Sequence, residues 1–348
     1  MVCAAANLLA DRGYDVHVVY SIRPETPAGI SGMFRSSVTL HVIPMSINRA
    51  PVALIALRRL LRELNPGLVH LHSSIAGFLG RLASFGLPGQ TKFFYSPHCI
   101  AVMRRDIRAK RLLYALLERV ANIRACSYLA CSQSERAAIR QWVGADALVL
   151  ENAVEPFDLP VPRREGASNR GARIVTVGGV RSQKGPKMFA AIAEACAGRA
   201  LDVQFTWVGD GDASSVDSLR AAGVEVTGWV PRLGIGGLLA DSDIYLSTAE
   251  WEGLPVSVIE AMAAGVLVVG SSCAGNIDAI EHGRTGLLFS SVDEAVDLLD
   301  GVLSNRFDLA MIKKNALEET RARFSMDNFA MRILSIYGLD APASHGGG

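Results

Sequence analysis

The sequence is short of cysteine, of net charge and of long apolar runs, and each shortage closes off a class of protein. Six cysteines occur in 348 residues. They stand at 3, 99, 126, 131, 196 and 273, with no C-x-x-C pair and no histidine at zinc spacing. A disulfide scaffold and a structural zinc site are therefore excluded, and reduced core thiols are expected. Thirty-five lysines and arginines face 34 aspartates and glutamates, a formal net charge of +1. No global field is available to hold nucleic acid, so an anionic ligand must be met by a local site. The longest uncharged stretch of the C-terminal half, residues 261–277, is broken by glycines, serines and an asparagine. It falls short of the roughly 18 consecutive apolar residues that a spanning helix needs. Asp11, Arg12 and Asp15 interrupt the first apolar run before any cleavage site. These features predict a soluble, cytoplasmic protein.

What is present is a core-forming chain, 50% hydrophobic and 20% charged, with length for about two domains. Short β-branched runs alternate with longer helical patterns. Strands are predicted at 15–20, 39–43, 68–72, 92–95, 127–132 and 147–150. A second set follows at 172–177, 203–208, 224–227, 244–247, 266–270 and 286–289. Strands apolar on both faces and separated by helices argue for parallel sheets covered on both sides. The stretch EPFDLPVPRREGASNR, 155–170, has three prolines and no periodicity and reads as a linker. The expected organisation is a domain over 1–154, a linker over 155–171 and a second domain over 172–325. A helix over 326–340 would pack back towards the hinge, and 341–348 would form a disordered tail. Two doubly wound domains facing a cleft would bind ligands beyond the carboxyl ends of their strands. The chain opens on a helical stretch, 2–11. The strand and glycine turn that normally precede such a helix are missing, so the start is expected to be truncated or the central strand lost.

The most informative segment is EGLPVSVIEAMAAG, 252–265. Glu252 and Glu260 are eight apart, and Pro255 stands where a helix would begin, since its missing N–H costs nothing there. The backbone of Gly253 and Leu254 and the positive helix end converge on one point, a ready anion site. Glu260 falls in the second helical turn among apolar neighbours. Burying its carboxylate is costly without partners, and a vicinal diol suits it.

The run from 241 to 289, which contains this segment, closely resembles the retaining glycosyltransferases of family 4, which have the two-domain GT-B fold. The resemblance extends through VTVGGVRSQKGP (175–186), VGDGD (208–212) and VTGWV (226–230). In the first half it includes VHLHSSIAGFLGRLA (69–83), YSPH (95–98) and ACSQSE (130–135). It implies an α/β chain of two Rossmann-like domains and a nucleoside-diphosphate-sugar donor of UDP or GDP type. By the same resemblance Glu260 holds the ribose and Glu252 lies by the sugar. Gly253, Leu254, Pro255 and Val256 cradle sugar hydroxyls and diphosphate, and Lys184 faces the diphosphate. The family carries an arginine after the first glycine of the 178–185 loop, Gly178, but Gly179 stands there. Arg181 either reaches the same phosphate from a shifted position or is a plain surface arginine. His98 matches a histidine beside the transferred sugar. His72 and Ser73 are expected as further ligand contacts, and His70, on the same strand face as His72, as packing.

No metal or other cofactor is expected, the D-x-D of Asp241 and Asp243 reading as a turn between helix and strand. Arg104, Arg105, Arg108, Lys110 and Arg111 precede apolar residues from Tyr114 to Leu117. That pattern fits a solvated face, attraction to a diphosphate-linked acceptor, or contact with anionic lipid at the inner face of the cell membrane. The reading is transfer of a sugar to a hydroxyl of a sugar or lipid-linked acceptor in polysaccharide or glycolipid synthesis. A nucleotide-sugar epimerase of the same fold and a non-catalytic derivative remain as rivals.

Overall fold

The computed structural model describes residues 1–23, 26, 29–87, 90–106, 108–122, 125–155 and 171–339. The predicted linker, apart from its two ends, and the predicted tail lie outside these. The chain divides into two compact units. One comprises Met1–Val102, Ile107–Leu150 and Phe329–Gly348, the other Met103–Asp106 and Glu151–Asn328. Residues 151–154 thus go with the second unit, and most of the last helix, Met326–Tyr337, goes with the first.

The first unit contains β1 (His17–Tyr20), β2 (Thr39–Val42), β3 (Leu68–His72), β4 (Lys92–Ser96), β5 (Ser127–Ala130) and β6 (Ala147–Val149). Its helices are α1 (Val2–Ala10), α2 (Ala50–Leu64), α3 (Ser74–Ser84), α4 (Arg111–Ala121) and α5 (Gln133–Ala138), the last continued by a π turn over Ile139–Val143. All pairings are parallel, but they form two sheets, β1-β2 and β3-β4-β5-β6. In a doubly wound sheet one further parallel strand stands between these two groups. Among the described residues no strand pairs with both groups. Val19 of β1 packs with Ala53 and Leu57 of α2 and Leu79 and Ala83 of α3. Helix α3 lies tightly on the four-stranded sheet because it presents glycines there. A Cβ on Gly80 would stand 2.4 Å from Leu71, and one on Gly77 2.2 Å from Tyr95. Tyr337, near the end of the last helix, packs on Phe94, and its hydroxyl lies 2.6 Å from His70 Nδ1.

The second unit contains β7 (Ala172–Val177), β8 (Val203–Val208), β9 (Glu225–Val226), β10 (Ile244–Ser247), β11 (Leu267–Ser271) and β12 (Leu287–Phe289) in one sheet of order β12-β11-β10-β7-β8-β9. Its helices are α6 (Pro186–Gly198), α7 (Ala213–Ala221), α8 (Arg232–Ala240), α9 (Val256–Ala263), α10 (Asn276–Ala279), α11 (Val292–Leu303) and α12 (Leu309–Arg323). This is a complete Rossmann order. One face of the sheet is buried by Phe189 and Ile192 from α6 and Leu299 from α11, against Trp207 and Leu246 of the strands. Val175, Tyr245 and Val268, at the alternate strand positions, are buried as well, which is why these strands read as unbroken apolar runs.

Candidate active site

Chemistry-bearing side chains gather at the carboxyl ends of parallel strands in each unit. In the second unit β7 and β10 are neighbours, while the chain continues from them to β8 on one side and β11 on the other. That reversal is the switch point at which such sheets bind ligands. The loop after β7 carries Lys184 and the loop after β10 carries Glu252. Lys184 Nζ lies 2.8 Å from Glu252 Oε1 as an ion pair, and Gln183 Nε2 donates to Glu252 Oε2 at 3.2 Å. The loop is clamped from below: Thr248 Oγ1 donates to the carbonyls of Lys184 (2.9 Å) and Gly185 (3.0 Å). Gly185 has φ +66°, and a Cβ there would stand 2.0 Å from Thr248 O, so only glycine fits. Gly178 is close to the stem of Lys184, where a Cβ would lie 3.1 Å from Cε. Burial alone would lower the ammonium pKa, but Glu252 and Tyr245 outweigh it and the net shift is upward. Lys184 is a fixed positive charge.

Glu260 sits on α9 and is 7% exposed. Burial raises its pKa, opposed by Arg232 and Lys184. Arg232 Nη2 is 3.5 Å from Glu260 Oε1, and Arg232 heads α8, a helix that periodicity alone does not reveal. Pro255 is the residue before α9 rather than its first, and Val256 begins the helix. Asn152 Nδ2 donates to Leu254 O at 2.7 Å. Among the described residues, the N–H groups of Gly253, Leu254 and Val256 meet no backbone or side-chain acceptor. They are the open donors that an anion at this helix end would take.

Arg181 is exposed, and a Cβ built on Gly179 would lie 3.6 Å from its Nε. Its side chain thus runs beside the position at which the resembled family carries arginine. Asp243 Oδ2 accepts from Arg173 N at 2.9 Å, and Asp241 closes α8. The D-x-D joins helix to strand. Among the described residues no three histidine, cysteine, aspartate or glutamate side chains come together as a metal site.

In the first unit β3, β4 and β5 are adjacent, and their carboxyl ends bring His72, His98 and Glu135 together. His72 Nδ1 lies 2.9 Å from His98 Nε2, with the rings stacked at 5.2 Å. His70 Nε2 contacts Ser96 Oγ at 2.9 Å, so His70 is held on both sides by packing partners. Burial lowers the pKa of all three rings, to about 3 for His70, to about 4 for His98 and well below 6.5 for His72. An N···N contact needs one donor and one acceptor, and since burial disfavours the charged form of both rings, His72 and His98 pair as neutral rings of complementary tautomer. Ser73, exposed with φ 71°, turns the chain from β3 into α3. Sequence reasoning missed Gln183, Arg232, Thr248 and Glu135. Of these only Glu135 left a signal, the S-x-x-E of a capping box at 132–135.

A sheet in complete Rossmann order with a charged loop at its switch point is shared by many nucleotide-binding proteins, and the chain's relatives narrow the class. Residues 1–153 match the family described as "Glycosyl transferase 4-like domain", and residues 171–305 match "Glycosyl transferases group 1". The UDP-Gal:alpha-D-GlcNAc-diphosphoundecaprenol alpha-1,3-galactosyltransferase of Escherichia coli is 26% identical over 360 residues, covering 95% of this chain and 90% of that protein. A Campylobacter jejuni N,N'-diacetylbacillosaminyl-diphospho-undecaprenol alpha-1,3-N-acetylgalactosaminyltransferase is 32% identical over 129 residues, 36% of this chain and 33% of its own. Among solved structures, Anabaena HepE in complex with UDP and glucose superposes with TM-score 0.77 at 18% identity, covering 97% of this chain and 95% of that one. The sucrose-phosphate synthase of Thermosynechococcus elongatus does so with TM-score 0.77 at 18% identity, covering 96% and 90%. The fold is GT-B and the protein is a glycosyltransferase. It belongs to glycosyltransferase family 4.

Proposed function

We propose that this glycosyltransferase is a retaining enzyme that moves a sugar from a nucleoside diphosphate, of UDP or GDP type, to a hydroxyl of a sugar or lipid-linked acceptor in polysaccharide or glycolipid synthesis. The observation that carries the reading is the Lys184–Glu252 pair at the switch point, 2.8 Å long, beside the open N–H groups that start α9. Charge builds on the departing diphosphate as the glycosidic bond breaks. A fixed ammonium and unsatisfied N–H groups aimed at that place stabilise the charge without reorganising, an effect worth several kcal/mol. Lys184, Arg181 and the Gly253–Val256 backbone take the diphosphate, with Gly178 leaving room for the lysine stem. The Glu260 carboxylate takes the ribose hydroxyls. Glu252 lies by the sugar, supporting an oxocarbenium-like centre attacked from the leaving-group face. The reading assigns no metal or other cofactor, because the lysine and helix end supply the positive charge.

In the first unit the reading gives His98 a hydrogen bond to the transferred sugar, and gives His72 and Ser73 contacts to the same ligand. The E. coli relative's name specifies UDP-galactose and a diphosphoundecaprenol acceptor, and HepE holds UDP and glucose. Both support this choice of donor and acceptor class. Among the described residues no helix is long and apolar enough to cross a membrane. Leu112, Leu113 and Leu116 of α4 are nevertheless exposed, following Lys110 and Arg111. We assign this face to peripheral contact with an anionic lipid surface on the cytoplasmic side, where a lipid-linked acceptor would lie.

The test is thermal denaturation with UDP, GDP, ADP and CDP, for the protein and for Glu260→Ala. One nucleotide is expected to stabilise the first and not the second, by about 2.7 kcal/mol at 100 times its dissociation constant. No shift with any nucleotide would overturn the donor assignment. Proton NMR of the first-formed product then reads the anomer, and inversion would overturn the retaining mechanism.

A further inference from the structure

The Glu135 carboxylate is fully buried and serves no ligand, yet it is among the most heavily bonded groups of the first unit. Its Oε1 accepts from the backbone N–H groups of Cys99 (2.6 Å) and Ile100 (2.7 Å), and its Oε2 accepts from Cys131 N (2.8 Å). In an ordinary capping box the third-position glutamate returns to the N–H of the cap residue itself. Ser132 performs its half here, Oγ accepting from Glu135 N at 3.1 Å. The glutamate instead turns outward, one oxygen towards the residue before the cap and the other across to the loop that leaves β4.

That loop is strained. His98 has φ 53° and Cys99 φ 82°, two successive non-glycine residues in the left-handed region, a conformation that persists only where the surroundings enforce it. The two N–H groups that Glu135 gathers follow directly after His98. They fix the direction in which the strand end turns, and with it the place of the imidazole against His72.

We infer that Glu135 is a positioning residue, which locks the left-handed turn at 98–99 so that the His98 ring is presented against His72. This rests on the assignment of His98 to the transferred sugar. Glu135 touches no ligand and acts only through His98. A neutral glutamine cannot reproduce it: the amide oxygen replaces one carboxylate oxygen, but the NH2 then opposes an N–H donor. The groups around His98 and Glu135 are His70, His72, the positive amino terminus and the thiols of Cys99 and Cys131.

The experiment compares Glu135→Gln with Ser132→Ala, which removes the cap hydrogen bond and leaves the carboxylate. Ring-nitrogen NMR of the ligand-free protein follows the titration and tautomer of His98. The expected result is that Glu135→Gln moves the His98 titration by one pH unit or more towards 6.5 and abolishes the paired ring-nitrogen signal. With the glucose or galactose diphosphonucleoside of the base selected by the denaturation panel, whichever the protein turns over, kcat should fall at least tenfold with little change in donor KM. Ser132→Ala should lower the melting temperature while His98 titrates as before. If Glu135→Gln only lowers the melting temperature, with His98 titration and kcat unchanged, the positioning role is overturned. Should Glu135→Gln fail to fold, Glu135→Asp keeps the charge but shortens the reach, and the same shift in His98 is required of it. If His98 moves and kcat does not, positioning stands and the assignment of His98 to the sugar falls.

Discussion

Lys184 and Glu252 hold each other in place, and neither can be removed without stranding the other. Lys184→Ala leaves a buried carboxylate facing no cation, a loss of about 3–5 kcal/mol in stability, and its turnover should fall by about 10²–10³-fold. Glu252→Gln keeps the shape and leaves the lysine partly solvated. A smaller stability loss with a comparable fall in rate is expected. Chemical denaturation and initial-rate measurements on the two variants separate the effects. His70, His72 and His98 make a different prediction. Their folded pKa values lie below the unfolded value near 6.5, at about 3 for His70 and about 4 for His98. Between pH 6.5 and 4 the unfolded chain therefore binds protons that the folded one refuses. Stability is full above pH 6.5 and falls as pH drops through that window, by about 1.4 kcal/mol per pH unit for each ring. Denaturation midpoints measured at pH 7, 6 and 5 should show the slope, and His98→Asn should reduce it.

At the scale of elements, the helix–sheet contact of the first unit is built on a buried charge. Arg81 of α3 is fully buried. Its guanidinium donates to Glu118 Oε2 of α4 at 2.6 Å, to Tyr128 Oη at 2.8 Å and to Gly77 O at 2.9 Å. Tyr95 Oη donates to the other oxygen of Glu118 at 3.0 Å, and its ring lies 4.5 Å below the guanidinium. Removing one partner exposes the full desolvation penalty of the other. Glu118→Ala should cost about 3–5 kcal/mol, whereas Arg81→Met with Glu118→Leu, made together with Tyr95→Phe and Tyr128→Phe so that no buried hydroxyl is stranded, should cost much less, a comparison that urea denaturation decides. Elements of this kind explain what the sequence did and did not reveal. The strands of the second unit are apolar on both faces and were read to within a residue or two. Helix α8, RLGIGGLLA, hides behind three glycines that break the helical signal, and α12 has a mixed polar surface with only Ile312, Ala316 and Thr320 buried. Both were missed. Lys184, Glu252 and Glu260 were legible one by one, because their neighbours form a motif. Their mutual distances were not, since those follow from which strands lie side by side. Glu135 was invisible as a functional group because the N–H groups it holds at 99 and 100 lie 36 and 35 residues away.

At the scale of the whole chain, each unit has its own sheets, and the groups proposed for the nucleoside diphosphate, Lys184, Arg181, Glu260 and the start of α9, all belong to the second. A nucleoside diphosphate should therefore slow amide exchange first in the strands β7 and β10 and at the start of α9, which mass spectrometry of deuterated peptides can resolve. The first unit carries a further consequence of its divided sheet. Among the described residues no main-chain ladder connects β1 and β2 to β3–β6, and two strands alone are marginal in water. The pair is held to the rest through side chains such as Val19 against Leu57 and Leu79. Such a module opens as a cooperative block of its own, at a free energy below that of global unfolding. Amides of residues 17–20 and 39–42 should exchange together, well before those of β4 and β5, and a protease acting on the native protein should find its earliest cuts in that block.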